Sequence, residues 1–314
     1  ASDQGYNAVG SPLLPRGSES ATSDDFRAGM LRMDLMFQTL ASGSSGNATF
    51  VRAGGMGILI DFGLAGRPLQ QRLGAAGLDW SDIHAVLLTH IHEDHWKETS
   101  LAQLARRNVR FFCHPEHSEH LRRRSASFSV LEAVGRVEQI EAGDFFDIAP
   151  HVSCLALPVS HDAGATLAYR VDGWSDDDTP AWSIGYASDL GCWDESLVEQ
   201  FANVDLLALE FNHDVDLQRN SARPSFLIER VLGDEGHLSN EQAASLLSAV
   251  LRQSEPGRLR QLVQLHLSKD CNRPQLAARA AHAVRESLDR DFAIHTASRD
   301  VIGPSLSTGF PSPV

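Results

Sequence analysis

The chain has no apolar run long enough to cross a membrane; its longest, such as Ala85 to Leu88, have the length of buried strands. No membrane partner is therefore expected. It has few cysteines: Cys113, Cys154, Cys192 and Cys271 lie far apart, with no CxxC pair. A disulfide framework is not expected, and buried free thiols point to a reducing, cytoplasmic setting. Positive charge is in deficit: 27 Lys and Arg face 41 Asp and Glu, a net charge of −14. Such a balance opposes loose adhesion to nucleic acid or anionic lipid. A polyanionic substrate would have to be drawn in locally, by metal ions or clustered arginines, which disfavours a general nucleic-acid coating protein but not an enzyme acting on one phosphodiester. The Ser-Gly stretch 42–47 lacks a GK[ST] ending and is not a nucleotide P-loop. No repeat is short enough for a solenoid.

What is present is a soluble-enzyme composition, 42% hydrophobic and 22% charged. Residues 1–32 are rich in Gly, Ser, Pro, Asp and Ala without periodicity and read as a disordered leader. Leu14-Pro15-Arg16-Gly17-Ser18 resembles an introduced protease-site linker, Met30 or Met33 is the expected native start, and nothing in the leader reads as a secretory signal. Residues 33–314 are expected to form one domain. Strands are expected at 35–40, 49–52 and 58–61, a helix at 67–76 with Leu69, Leu73 and Ala76 on one face, a strand at 85–89 and a helix at 99–107. A strand at 109–113, a helix from Glu116 and a strand-rich stretch 136–171 follow, then a polar surface loop at 172–180. Strands at 206–210 and 262–267 alternate with helices at 240–252 and 274–288. Two αβ halves packed sheet to sheet, with helices outside, account for this order.

The chemistry concentrates in Thr89-His90-Ile91-His92-Glu93-Asp94-His95, four metal-binding side chains in six residues after an apolar strand. Residues two apart in an extended segment point the same way, so His90 and His92 can grip one ion, while Asp94 and His95 reach a second. Imidazole with carboxylate suits zinc, manganese or iron. Further candidates sit after later apolar runs: Ser160-His161-Asp162, Ser188-Asp189-Leu190, and His266 after Leu262 to Leu265.

The order HxHxDH, then His, then Asp, then His resembles the metallo-β-lactamase superfamily over about residues 35–288. The resemblance implies an α+β fold, the αβ/βα four-layer sandwich. It implies two divalent metal ions (Zn or Mn), one on His90, His92 and His161, the other on Asp94, His95 and His266. Asp189 would bridge both, beside a hydroxide that attacks the substrate. Ala41-Ser42-Gly43-Ser44-Ser45-Gly46-Asn47, Glu210-Phe211-Asn212-His213-Asp214, Gly236-His237-Leu238-Ser239-Asn240 and His266-Leu267-Ser268-Lys269-Asp270-Cys271-Asn272 resemble the YycJ/WalJ-type, exonuclease-like branch, whose layout is also similar to tRNase Z.

From that branch follow catalytic roles for Asp94, Glu210 and His237, with Glu210 orienting His237 and His237 protonating the leaving oxygen. Ser268, Lys269 and Asn272 are the substrate-binding candidates. The implied activity is phosphodiester cleavage in nucleic acid, as a DNA exonuclease, DNA ahead of RNA, with a homodimer left open. Two alternatives stand beside it: hydrolysis of a small ester, lactone, thioester or β-lactam by the same metals, and a metal-stabilised binding or sensor module.

Several residues keep two readings. His237 is a proton donor or a helix-entry residue, and His213 lies near the second metal or anchors a loop. The turn at 42–47 faces a phosphate with its amides or is a plain tight turn. Arg122-Arg123-Arg124 steers phosphates or is a solvated helix face. His114, His117 and His120, on one side of a helix start, are expected at the surface.

Overall fold

The structure, a computed structural model, describes residues 35–174 and 180–307. The expected leader at 1–32 and most of the loop expected at 172–180 fall outside the described residues.

Two seven-stranded sheets carry the fold. In the first, β1 (Met36–Ala41), β2 (Ala48–Ala53) and β3 (Met56–Ile60) form an antiparallel meander. The parallel strands β4 (Ala85–Leu87), β5 (Arg110–Cys113) and β6 (Val137–Gln139) extend it. The second repeats the scheme: β7 (Phe145–Ala149), β8 (Val152–Pro158), β9 (Leu167–Trp174) and β10 (Pro180–Ala187) are antiparallel. Parallel β11 (Leu206–Glu210), β12 (Gln261–Leu265) and β13 (Ala293–Thr296) follow. The short β14 (Leu306–Ser307) returns to pair with β1 in the first sheet.

Strand alternation builds the layers. Leu206 and Ala208 of β11 point into a core shared by both sheets, with Phe37, Val51, Ile60, Leu87, Tyr169 and Trp182, whereas Leu207 and Leu209 face the opposite side. There they meet α5 (Glu195–Phe201), α8 (Asn240–Gln253) and α9 (Pro274–Ser287) through Phe201, Leu247 and Ala281. On the outer face of the first sheet, Leu59 and Val86 meet Leu69 of α1 (Gly66–Ala75), Leu101 of α2 (Glu98–Ala105), Leu121 of α3 (Pro115–Arg124) and Phe128 of α4 (Ala126–Ala133). Two further helices, α6 (Val215–Arg219) and α7 (Ser225–Leu232), lie between β11 and α8 in sequence. The result is the helix–sheet–sheet–helix sandwich expected from the sequence.

Most expected elements are present with ends shifted by one to three residues. The larger difference is at 172–180: β9 continues to Trp174 and β10 starts at Pro180, so the excursion is shorter than its polar composition suggests. Asp172 is drawn into the sheet because its carboxylate accepts from Arg170 and from the Ser183 hydroxyl. A lone Asp in a strand is read as loop when its partner lies on the next strand.

One inter-sheet bond governs where the chemistry begins. Tyr169 of β9 is fully buried and its hydroxyl donates to the Leu88 carbonyl at 2.6 Å, immediately before the His-rich loop. Tyr169→Phe leaves that carbonyl without its partner. It is expected to lower stability by about 1–3 kcal/mol, read from urea unfolding; an unchanged midpoint would show that the bond is energetically idle.

Candidate metal centre

Every candidate metal ligand stands on a loop leaving the carboxyl end of a strand. The 89–95 loop follows β4, His161 follows β8, Asp189 follows β10, Glu210 ends β11 and His266 follows β12. Strands of both sheets converge there, so the fold gathers residues 176 positions apart (His266 from His90). Three of the residues that set this geometry, Asp61, Asp189 and His266, take left-handed backbone conformations with φ of 60°, 60° and 53°. Only a minority of non-glycine residues do so, and here the surrounding hydrogen bonds hold them in place.

The structure brings the seven expected ligands together. His90, His92 and His161 form one group able to hold a cation, Asp94, His95 and His266 another, and Asp189 joins His90 and His95 in a third. Asp189 Oδ2 lies 3.2 Å from His95 Nε2, while its Oδ1 lies 3.1 Å from His266 Nδ1 and 3.9 Å from His161 Nε2. His90, His95, His161, Asp189 and His266 are buried; His92 and Asp94 form the rim.

Each imidazole is oriented from behind. His95 Nδ1 is 2.7 Å from Asp61 Oδ2, and Asp61 also accepts from the amide and hydroxyl of Thr89. His161 Nδ1 donates to the Gly236 carbonyl at 2.9 Å. Both contacts turn Nε2 toward the centre. The loop closes against a second layer at Gly63, where any side chain would run into the Asp94 carbonyl.

Sequence reasoning missed Asp61 and Asn47 as site residues. Asn47 Nδ2 lies 2.9 Å from His95 Nε2, and its amide donates to the Asp94 carbonyl at 2.7 Å. The only trace of Asp61 in the sequence is a carboxylate ending the apolar run 58–60. The Gly43, Gly46 and Asn47 amides all donate within the protein, so the 42–47 turn acts here as a buttress of the His-rich loop.

Glu210 ties the centre to a proton-carrying side chain. Its Oε1 lies 2.9 Å from both His237 Nδ1 and His266 Nδ1, and its Oε2 accepts from the amides of Leu190 and Leu238. Burial alone would raise the Glu210 pKa, but His237 and His266 outweigh it and hold the carboxyl down at about 2. Burial would likewise keep His237 neutral, and the Glu210 carboxylate overrides it and raises the ring's pKa. The helix entry belongs to Ser239, whose hydroxyl accepts from Gln242 in a reciprocal cap, so His237 stands before the cap and lines the adjoining cavity.

The electrostatics suit a cation. His95 is pushed up to about 10: burial opposes its charge, and the Asp61 and Asp189 carboxylates overcome it. His266 is raised against burial in the same way by Asp189 and Asp94, while burial holds His90 neutral. Four buried or near-buried carboxylates thus demand positive charge from whatever is nearest. The Nε2 atoms of His90 and His266 are buried without a hydrogen-bond partner. His161 Nε2 and His92 Nδ1 stand 3.3 Å apart, close to the separation of two ligands bound tetrahedrally at about 2.0–2.1 Å each. The donor set fits divalent metal ions.

Fold and site together define a metal-dependent hydrolase of the metallo-β-lactamase fold. The crystal structure of the metallo-β-lactamase fold protein YhfI from Bacillus subtilis is similar, with a TM-score of 0.62 at 15% identity over 87% of this chain and 99% of that one. The chain belongs to the β-lactamase superfamily, whose family described as "Beta-lactamase superfamily domain" matches residues 57–256. Among curated proteins it is similar to exodeoxyribonuclease WalJ of Streptococcus pneumoniae serotype 2 (strain D39 / NCTC 7466), 29% identical over 255 residues, 79% of this chain and 87% of the relative. Exodeoxyribonuclease YycJ of Bacillus anthracis is 28% identical over 274 residues, 84% of this chain and 95% of that protein. No helix of the described residues is long and apolar enough to cross a membrane.

Other expected positions fall as follows. Ser268 and Lys269 line the cavities beside the centre. Asn272 is buried, its amide group donating to the Phe211 and Asn212 carbonyls and its oxygen accepting from Asn240, so it shapes the wall without a free group to offer. His213 shares none of the ligand groups; both ring nitrogens are buried without partners, and burial lowers its pKa to about 4. Arg122 pairs with Glu132 and Arg123 with Glu119 on α3.

The surface expectation for His117 is incorrect. It is fully buried, its Nε2 donating to the Ala165 carbonyl at 2.8 Å and its Nδ1 accepting from the His114 amide at 3.2 Å. It pins the start of α3 to the loop after His161. A proton at Nδ1 would face that amide, and burial lowers the ring's pKa from 6.5 to about 4. Between those values the unfolded chain binds the proton and the folded chain does not. Stability therefore falls as pH drops through this window, by up to about 3 kcal/mol from this residue. Urea unfolding across the range should show a flatter acid limb for His117→Gln than for the parent; parallel curves would refute the assignment.

Proposed function

We propose that the chain is a dinuclear metal-dependent phosphodiesterase acting on nucleic acid, DNA ahead of RNA, as an exonuclease. The observation that carries this reading is the pair of buried Glu210 and half-buried His237 at the edge of the ligand cluster, with His237 lining the cavity where a substrate would lie. A diester expels an alkoxide, which leaves poorly without a proton; the thiolate of a thioester has less need of one. The similarity to two exodeoxyribonucleases over most of their lengths supports the same substrate class.

His90, His92 and His161 would hold one ion and Asp94, His95 and His266 the other, with Asp189 between them; zinc or manganese suits this donor set. When bound, two such ions lower the pKa of a water and offset charge building on the phosphorus centre. The protein's own part is positional. Asp61 and the Gly236 carbonyl fix the tautomers of His95 and His161, and Asp94 and Asp189 supply negative charge that would hold the ions. Glu210 keeps a proton on His237 Nδ1, so that Nε2–H can be given to the departing 3′ or 5′ oxygen while the ring stays oriented. Asp94, Glu210 and His237 are in this sense the catalytic set.

Purified protein with Mn²⁺ or Zn²⁺ should release mononucleotides from end-labelled DNA, single- or double-stranded, faster than from RNA, and Asp189→Ala should abolish release. Equal activity in both samples would mean that another nuclease is responsible. His237→Ala is expected to lower kcat on oligonucleotides by about 10²–10⁴-fold and to spare bis-p-nitrophenyl phosphate, whose leaving group needs no proton. Equal losses on the two substrates would remove His237 from the role of donor.

A further inference from the structure

Two cavities adjoin along one wall. The first, about 260 Å³, reaches the site at His237 and His266 and is lined by Arg223 and Arg230; the second, about 320 Å³, is lined by Lys269, Arg273 and Arg299. Ser44, Leu267 and Ser268 line both, so they form one trough leading away from the centre. The Ser42 hydroxyl accepts from the His266 amide at 2.8 Å, which seats the trough floor directly on a candidate ligand.

The charge of this trough runs against that of the chain. Five Arg and Lys line it against two carboxylates, Asp162 and Asp300, in a protein of net charge −14. Three of the cations already have acidic partners: Arg230 with Asp162, Arg223 with Asp270 at 3.3 Å and Arg299 with Asp300 at 2.9 Å. The other two do not. Lys269 is exposed and its Nζ makes no hydrogen bond or ion pair among the described residues, and Arg273 donates only to backbone carbonyls such as that of Asp270. Neither charge is needed by the core. Lys269, within electrostatic reach of Asp300 but bonded to no carboxylate, and Arg273, bonded only to carbonyls, stand at the far end of a site-connected trough, where a second anionic group of the substrate would meet them.

We propose that this trough is the path of the nucleic-acid strand that remains attached to the scissile phosphate, with Lys269 and Arg273 taking backbone phosphates beyond the centre. The inference rests on the nucleic-acid reading above and adds a footprint: affinity grows with strand length because distant phosphates enter the trough. Backbone contact of this kind is insensitive to sequence and sensitive to salt.

The test is steady-state kinetics of the metal-loaded protein on a thymidine dinucleotide and on a 12-nucleotide DNA strand. Lys269→Ala combined with Arg273→Gln, the glutamine retaining donors for the carbonyls, is expected to raise KM for the 12-mer about tenfold. KM for the dinucleotide and kcat for both should move less than about twofold. The slope of log KM against log salt should fall by about 0.7 for each cation removed. Lys269→Arg should behave as the parent, and an unchanged urea midpoint will show that the double variant is folded. A parent enzyme that cleaves the 12-mer, beside a double variant with unaltered KM and salt slope, overturns the trough alone. A parent that cleaves neither substrate overturns the nuclease reading, and the trough with it.

Discussion

The carboxylate of Glu210 is the constraint on which the site depends. Burying a charge is costly unless it is paired and hydrogen-bonded, and Glu210 is entirely buried. Its two oxygens accept from His237, His266 and the amides of Leu190 and Leu238. Those four groups belong to three loops leaving β10, β12 and the segment before α8, so one side chain fixes the relative position of elements that share no strand. Any rearrangement that freed a loop would strand a negative charge in the core, which makes the constellation cooperative rather than a sum of separate contacts.

The same reasoning explains how an acidic centre survives in an acidic chain. Asp61, Asp94, Asp189 and Glu210 crowd the convergence of the two sheets, and the imidazoles among them are drawn toward the charged state where carboxylates dominate, as at His95 and His266, and kept neutral where burial dominates, as at His90. A pocket that forces histidines to carry protons against their own desolvation has a strong appetite for cations. The buried Nε2 of His90, which has no hydrogen-bond partner, marks where that appetite is unmet by protein groups.

Much of this was legible in the sequence, for specific reasons. The candidate ligands at 90–95 are clustered, and His161, Asp189 and His266 each follow an apolar run, so strand periodicity located them. The layered fold followed from the same alternation. Asp61 and Asn47 were not legible because their role is to reach a histidine from a different strand, and nothing local distinguishes a supporting carboxylate from a turn residue. His117 was misread because spacing along a helix reports a face but not which face is covered; the covering element, the 162–166 loop, comes 45 residues later. Arg223 and Arg230 escaped notice because isolated arginines in a polar stretch carry no pattern until the fold places them on one wall.

The division between frame and wall also bears on substrate choice. Chains of very low identity share the two-sheet frame, so the frame cannot by itself select a substrate. Selection falls to what surrounds the centre, and here much of the wall comes from four segments outside the core strands: the turn at 42–47, the α6–α7 stretch, the loop after β12 and the loop after β13. Three of these carry the cations that a protein of net charge −14 otherwise disperses. A small neutral ester would gain nothing from charge set beyond the reacting atoms. A polyanion would gain from every phosphate it lays against them, so the extended trough suits the polymeric substrate proposed for this site.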